Sequence, residues 1–236
     1  MGEPILKVTN LIAAYGPVVV IKGIDFNAYE GEIVGLVGPN GAGKTTFLEA
    51  LAGSIEIREG KIHLLGKRID GLPVMKRRKM GMLLMPQEDY IFPFMPVKRN
   101  LQVAGLFNSN EKNKELLDFV YGLFPVLKAR ERQIANTLSG GERKMLSVGM
   151  GIMADARVLL IDEPSIGLAP KIVSALFENL KTIKEETRKT LILSEQNVKI
   201  LNIADRIFGL EAGEIRFCEN TEDLDEMMVK ELYMGE

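Results

Sequence analysis

An apolar pentapeptide, Ile33-Val34-Gly35-Leu36-Val37, runs directly into Gly38-Pro39-Asn40-Gly41-Ala42-Gly43-Lys44-Thr45, and Thr45 to Leu51 then reads as a helix. A strand that is apolar on both faces has to be buried on both, as a central strand of a parallel sheet is. The octapeptide fits G-x-x-x-x-G-K-[ST] in full, in the strand–loop–helix setting which that pattern requires. Its glycines let the backbone curl so that consecutive N–H groups converge on phosphate oxygens. Lys44 is then expected to reach the β- and γ-phosphates and Thr45 to ligate Mg2+ through its hydroxyl. The loop together with Thr46 is the expected cradle for ATP.

Two further segments add to this cradle. Arg157-Val158-Leu159-Leu160-Ile161 is an apolar strand that ends in Asp162-Glu163. Asp162 suits Mg2+, because hard cations take oxygen ligands, and Glu163 is placed one residue further on to orient or deprotonate a water. Leu138-Ser139-Gly140-Gly141-Glu142 supplies a hydroxyl and two glycines, an expected helix start where exposed N–H groups and the dipole favour an anion. The chain thus carries two phosphate-binding surfaces. One ATP does not need both from the same molecule, and two copies set head to tail would complete each other's sites.

Bulk properties narrow the setting. A chain of 236 residues holds one large domain, or a core with a satellite subdomain. Its 30 basic and 32 acidic side chains leave a net charge of -2, no footprint for nucleic acid or anionic lipid. The single cysteine, Cys218, excludes an internal disulfide and a cysteine metal cluster; it is expected as a small hydrophobe in or beside a strand. The first residues lack a charged n-region with an apolar run behind it, Leu6 stands where myristoylation wants Ser or Thr, and no stretch approaches the ~20 apolar residues of a membrane span. These features predict a cytoplasmic chain that another protein brings to a membrane.

Along the chain, Ile5 to Val8, Val18 to Ile21 and Lys61 to Leu64 read as strands of an antiparallel sheet, with His63 an exposed strand residue. Residues 88–153 read as a helical insert. Its start, Tyr90 to Asn100, is rich in proline and aromatics and is expected to be irregular and exposed; Asn108 with Glu111 resembles a capping box ahead of Leu116, Phe119, Val120 and Leu123. The core resumes with Val158 to Ile161, a helix near Ile172 to Lys184, a strand Thr190 to Ser194, and a hairpin of Ile207 to Leu210 with Ile215 to Cys218. Leu224, Met227, Met228 and Leu232 form a helical stripe expected to pack.

With these motifs in this order over the whole length, the chain resembles the ATP-binding-cassette (ABC) ATPase subunits. The resemblance implies an α/β P-loop NTPase (RecA-like) fold: a mostly parallel sheet core with an N-terminal antiparallel β subdomain and an inserted helical subdomain. It implies one domain over 1–236, with 1–87 and 154–236 as nucleotide-binding core and 88–153 as the helical part. Ser139, Gly140, Gly141 and Glu142 would meet the γ-phosphate held by the opposite protomer, as the family's signature does. Gln87 falls at the family's Q-loop position, which senses Mg2+ and the attacking water. Tyr15 matches the aromatic that stacks on adenine, and Ser165-Ile166-Gly167-Leu168 resembles the D-loop that crosses the dimer interface. The implied partners are a second ATP-binding subunit, identical or a paralogue, and a membrane permease docking near Tyr90 to Asn100. An importer would also have an extracytoplasmic substrate-binding protein, and the ATPase itself would lie on the cytoplasmic face of the membrane.

Departures from the family pattern touch the edges of the site. His63 is the only histidine, so Gln196 stands where the family's switch histidine would be; its amide donates a hydrogen bond and carries no charge. Ala169 replaces the D-loop aspartate and Met150 an arginine common after the signature. Glu163 to Pro170, Ser194 to Asn197, Ile91-Phe92-Pro93 and Leu232 to Gly235 are similar to the ATP-binding subunits of branched-chain amino acid importers. Pro86-Gln87-Glu88 is similar instead to lipopolysaccharide-export ATPases. Another cargo, such as urea, another amino acid or a lipid, stays open, as does a soluble assembly ATPase that serves no permease. A small-molecule kinase would share the loop but has no use for Ser139 to Glu142.

Overall fold

The structure, a computed structural model, describes residues 2–88 and 90–224. The stripe and ending expected beyond Leu224 lie outside the described residues. The elements in chain order are β1 (Leu6–Tyr15), β2 (Val18–Ala28), β3 (Ile33–Val37), α1 (Lys44–Ala52), β4 (Glu56–Leu64), β5 (Lys67–Arg68), α2 (Val74–Lys79) and β6 (Met82–Met85). They continue with α3 (Val97–Ala104), α4 (Asn110–Leu123), α5 (Pro125–Ala129), α6 (Gly140–Met153), β7 (Val158–Asp162), α7 (Pro170–Thr187), β8 (Thr190–Glu195), β9 (Arg206–Glu211) and β10 (Glu214–Asn220).

Two sheets organise these elements. An antiparallel sheet runs β2-β1-β4-β5, and a larger one runs β10-β9-β3-β8-β7-β6, parallel except for the β9–β10 hairpin. The apolar strands serve two cores at once, because successive side chains point to opposite faces. Val34 and Leu36 of β3, Val158 and Leu160 of β7 and Ile192 of β8 pack with α1 and the antiparallel sheet. Ile33, Val37, Leu159, Ile161, Leu191 and Leu193 face the other way, against α6, α7 and the helices before them. This is why the central strands show no polar alternation. On the second face α6 comes close enough that a Cβ on Gly151 would meet the Met85 sulfur at 2.5 Å.

α1, which carries Lys44 at its start, is held at its far end by a buried arginine. Arg77 donates from Nη1 to the carbonyls of Ala50 (2.8 Å) and Leu51 (2.7 Å) in the last turn, where carbonyls run out of i+4 partners; Ala50 also accepts from the Gly53 N–H (3.2 Å).

Several local expectations are corrected. The cap of α4 is Ser109, whose Oγ accepts from the Lys112 N–H, while Asn108 donates to the Met153 carbonyl (2.8 Å) at the end of α6. Both residues suit a cap, and the tertiary demand of the Met153 carbonyl decides between them. His63 is half-buried rather than exposed, and Cys218 is an exposed thiol on β10 that accepts from Arg206 (3.2 Å). α7 starts at Pro170, whose lost N–H costs nothing at a first helical position. Of the segment Tyr90 to Asn100, the aromatics Phe92 and Phe94 are exposed, but Val97 and Asn100 are buried within α3. Asn100 accepts from the Phe92 N–H (2.6 Å) and donates to the carbonyls of Phe92 (3.0 Å), Met95 and Pro96 (both 3.2 Å). One buried amide holds the loop in the shape that turns its aromatics outward.

Candidate functional site

The loop after β3 closes around a buried lysine. Gly38, at φ 153°, lies so near β9 that a Cβ there would sit 2.0 Å from the Leu210 carbonyl oxygen. Gly43 caps α1 in the left-handed region, at φ 104°, with no side-chain cap, so the first N–H groups of α1 stay open toward the cleft. Lys44 is 4% exposed, and its Nζ donates to the carbonyls of Gly38 (2.8 Å) and Pro39 (3.1 Å). Burial pulls its pKa below that of a free lysine, while the carboxylates of Glu163, Asp162 and Glu195 push it back up.

A cleft of about 500 Å³ opens over this loop. Asn40, Gly41, Gly43, Lys44, Thr45, Thr46, Gln87, Glu163 and Gln196 line it, together with Ile166 of the D-loop-like segment and with Val20, which the sequence did not mark as a site residue. Gly38, Pro39 and Ala42 shape the loop from behind: the Ala42 N–H donates to the Pro39 carbonyl (3.2 Å), and its carbonyl accepts from Gly213 (2.9 Å). Tyr15 is not among the lining residues. It is 46% exposed at the end of β1, and its hydroxyl donates to the Glu49 carboxylate; burial, then Glu49, push the phenol's pKa up.

The carboxylates stand at one end of the sheet because β8 lies between β3 and β7. Register pairs Val37 with Glu195 and Asp162 with Ser194. Asp162 is buried, and that burial raises its pKa; hydrogen bonds from the Ser194 and Thr45 hydroxyls act in the opposite direction. Glu163 has φ 41°, a left-handed conformation that costs a non-glycine residue about 1–3 kcal/mol. Its N–H donates to the Ser194 carbonyl (3.1 Å) and Oγ (3.0 Å), bonds that hold the reversal. The turn brings the Glu163 carboxylate within 3.8 Å of Lys44 Nζ, and Gln196 Nε2 donates to its Oε1 at 2.6 Å. Gln196 thus acts on a carboxylate of its own chain. Ser194 and Glu195 were not anticipated as site residues, although a polar run, Ser194 to Asn197, directly after an apolar strand was the signal; Ser165 was expected only as part of the D-loop-like segment.

The second anion surface is built differently. Ser139 caps α6 in a reciprocal box: its Oγ accepts from the Glu142 N–H (3.4 Å), and the Glu142 carboxylate accepts from the Ser139 N–H and hydroxyl (both 2.9 Å). Burial raises the Glu142 pKa, but these bonds and Arg130 at 3.0 Å outweigh it and hold the carboxyl below its usual range. Ser139 and Gly140 are exposed and do not line the cleft. Further along α6, Lys144 Nζ donates to the Gln87 carbonyl (3.1 Å) and Ser147 Oγ accepts from the Tyr90 N–H (3.3 Å). α6 is thereby tied to the loop that carries Gln87 into the cleft.

Comparison with known proteins agrees with this architecture. The family model described as ABC transporter matches residues 21–166. The chain is 38% identical over 202 residues to the high-affinity branched-chain amino acid transport ATP-binding protein BraG of Pseudomonas aeruginosa, covering 85% of this chain and 86% of that protein. It is 33% identical over 220 residues to the probable branched-chain amino acid transport ATP-binding protein LivF of Archaeoglobus fulgidus, covering 93% of each. The fold is similar to that of a dimeric, post-hydrolysis ATP-binding cassette bound to ADP and Pi, with a TM-score of 0.80 at 21% identity, covering 93% of this chain and 100% of that one. With its P-loop NTPase fold and a family match over more than half its length, the chain belongs to the ABC transporter family, as one of its ATP-hydrolysing cassettes.

Proposed function

We propose that the chain energises the import of branched-chain amino acids, as one half of a pair of cassettes seated on a membrane permease. The observation that carries the paired site is the exposure of Ser139 and Gly140 outside the cleft lined by Lys44, Glu163 and Gln196. A second cassette presenting that helix start to the cleft would complete it, and the cassette of similar fold is dimeric. The cargo is inferred from the relatives, which are named for branched-chain amino acid transport. No helix among the described residues is long and apolar enough to cross a membrane, so the permease would supply the passage and hold the chain peripherally. The outward aromatics Phe92 and Phe94, on the helical part 88–153, are the docking surface in this reading.

In the cleft, the amides of the loop and Lys44 bind the phosphates; Tyr15, exposed at the end of β1 outside the lining, would offer its ring to a base that extends beyond the cleft. Among the described residues no cluster of three or more His, Cys, Asp and Glu side chains makes an all-protein metal cage. Thr45 and Asp162, near enough for the Thr45 hydroxyl to lower the Asp162 pKa, with Gln87 also lining the cleft, make an oxygen donor set that fits Mg2+, which keeps waters and phosphates among its ligands. Bound there, Mg2+ supplies charge neutralisation on the phosphate oxygens. Glu163 accepts the proton of the attacking water while Gln196 fixes the direction of its carboxylate. The partner's Ser139, Gly140 and Gly141 amides stabilise charge on the transferring phosphoryl group. Closure on ATP and release after hydrolysis turn nucleotide state into motion.

The test has two arms. Glu163→Gln should cut turnover by about 10²- to 10⁴-fold, keep ATP binding and trap a dimer in gel filtration; undiminished hydrolysis rejects the role of Glu163. Deleting the gene should abolish high-affinity uptake of labelled leucine, and restoring it should recover uptake. Normal leucine uptake with a defect in lipid export would favour the reading that Pro86-Gln87-Glu88 resembles.

A further inference from the structure

We propose that Glu195 is a positioning residue that locks the turn bearing Gln196 to the segment behind Glu163, through Ser165. Glu195 ends β8 and is 1% exposed, yet no step of the mechanism above uses it. Its Oε1 accepts from the Ser165 N–H (2.9 Å), and its Oε2 accepts from the Ser165 hydroxyl (2.8 Å) and from the N–H groups of Gln196 and Asn197 (both 3.2 Å). A buried carboxylate is expensive unless donors surround it, and here they come from two separate stretches of chain. Those stretches meet a second time, where Gln196 Nε2 reaches the Glu163 carboxylate at 2.6 Å. The contacts close a ring: Glu163, Pro164 and Ser165 along one strand of chain, Glu195 and Gln196 along the other, joined at both ends. Ile166, next in line, reaches into the cleft and is 46% exposed. The ring therefore fixes the base, the amide that aims it and the start of the segment expected to cross to a second protomer.

A space of about 230 Å³, lined by Glu163, Ser165, Ile166, Glu195, Gln196 and Asn197, lies beside the ring. Releasing either end gives the turn room to drift there. A displacement near 1 Å at a catalytic base is enough to cost on the order of 10²-fold in rate without touching phosphate binding.

This inference rests on the reading of the cleft as an ATPase site. Purified wild-type chain is assayed first; a chain that binds ATP and never hydrolyses it refutes that reading rather than the role of Glu195. Given wild-type turnover, Ser165→Ala and Glu195→Ala should lower kcat by about 10- to 100-fold, with KM and the Kd for a fluorescent ATP analogue within about threefold of wild type. The double variant should be no slower than Glu195→Ala alone, because Glu195→Ala already removes the one contact that Ser165→Ala breaks. Ser165→Thr, which keeps the hydroxyl, should recover most of the rate. Unchanged kcat, losses of kcat and ATP binding in parallel, or additive effects in the double variant would overturn the proposal. Ser165→Ala removes one hydroxyl only, so the result stands even if Glu195→Ala fails to fold.

Discussion

The carboxylate end of β7 and β8 and the first turn of α6 are the two places that the proposed mechanism brings to a transferring phosphoryl group, and they are built in opposite ways. At the first, Asp162, Glu163 and Glu195 are all buried, and each is held by groups from distant stretches of sequence: Ser194 for the first two, Ser165 for the third. At the second, Ser139 and Glu142 satisfy one another within a single helical turn, with Arg130 alongside, and Ser139 and Gly140 face outward. A catalytic carboxylate has to be aimed, which takes bonds from several directions and a dry setting. A helix start offered to another molecule has to be exposed, so apart from Arg130 its supports are local. The first region finishes its geometry inside one chain; the second leaves Ser139 and Gly140 exposed, where the proposed partner would meet them.

That contrast can be broken by substitution. Ser139→Arg should leave ATP binding by the single chain unchanged while abolishing the ATP-driven dimer in gel filtration, with turnover down by about 10²-fold or more; a normal dimer would mean the α6 start is not an interface. Gln196→Ala removes one support of Glu163 and should slow steady-state hydrolysis about tenfold with little change in KM; an unchanged rate would show that Ser194 and Lys44 aim the carboxylate without it. The smallest effect is expected for Glu142→Ala, which opens half of the cap of α6. It should cost about 1 kcal/mol in a denaturant melt; a loss several times larger would mean that the exposed turn also supports the fold.

Much of the first region was legible as ingredients and little of it as an arrangement. The glycine loop directly follows one apolar strand and Asp162-Glu163 directly follow another, and their chemistry follows from that local order. Nothing local told that Ser194 would join Asp162 to the Glu163 N–H, or that Gln196 would reach Glu163 across 33 residues. Val20 escaped notice because a strand valine carries no chemical mark, and it lines the cleft only because the antiparallel sheet leans over the loop. Asn100 was read as part of an exposed segment, since asparagine is usually at the surface; it is fully buried because the loop's own carbonyls and one N–H consume its amide. The second region was easier, since Ser-x-x-Glu is a local signal and its bonds span three residues.

What the chain determines by itself is therefore what one turn of backbone can decide. It sets the reversal at Gly38, the capped start of α6, and the strands that must be buried on both faces. The tertiary structure decided the rest through strand order: placing β8 between β3 and β7 sets Ser194 beside Asp162 and Glu195 beside Val37. Those neighbours are chosen by which apolar faces pack together, because the area buried by β3, β7 and β8 far outweighs any single polar contact. The polar groups at the strand ends take the partners that packing brings them, and from those partners the cleft gets its aim.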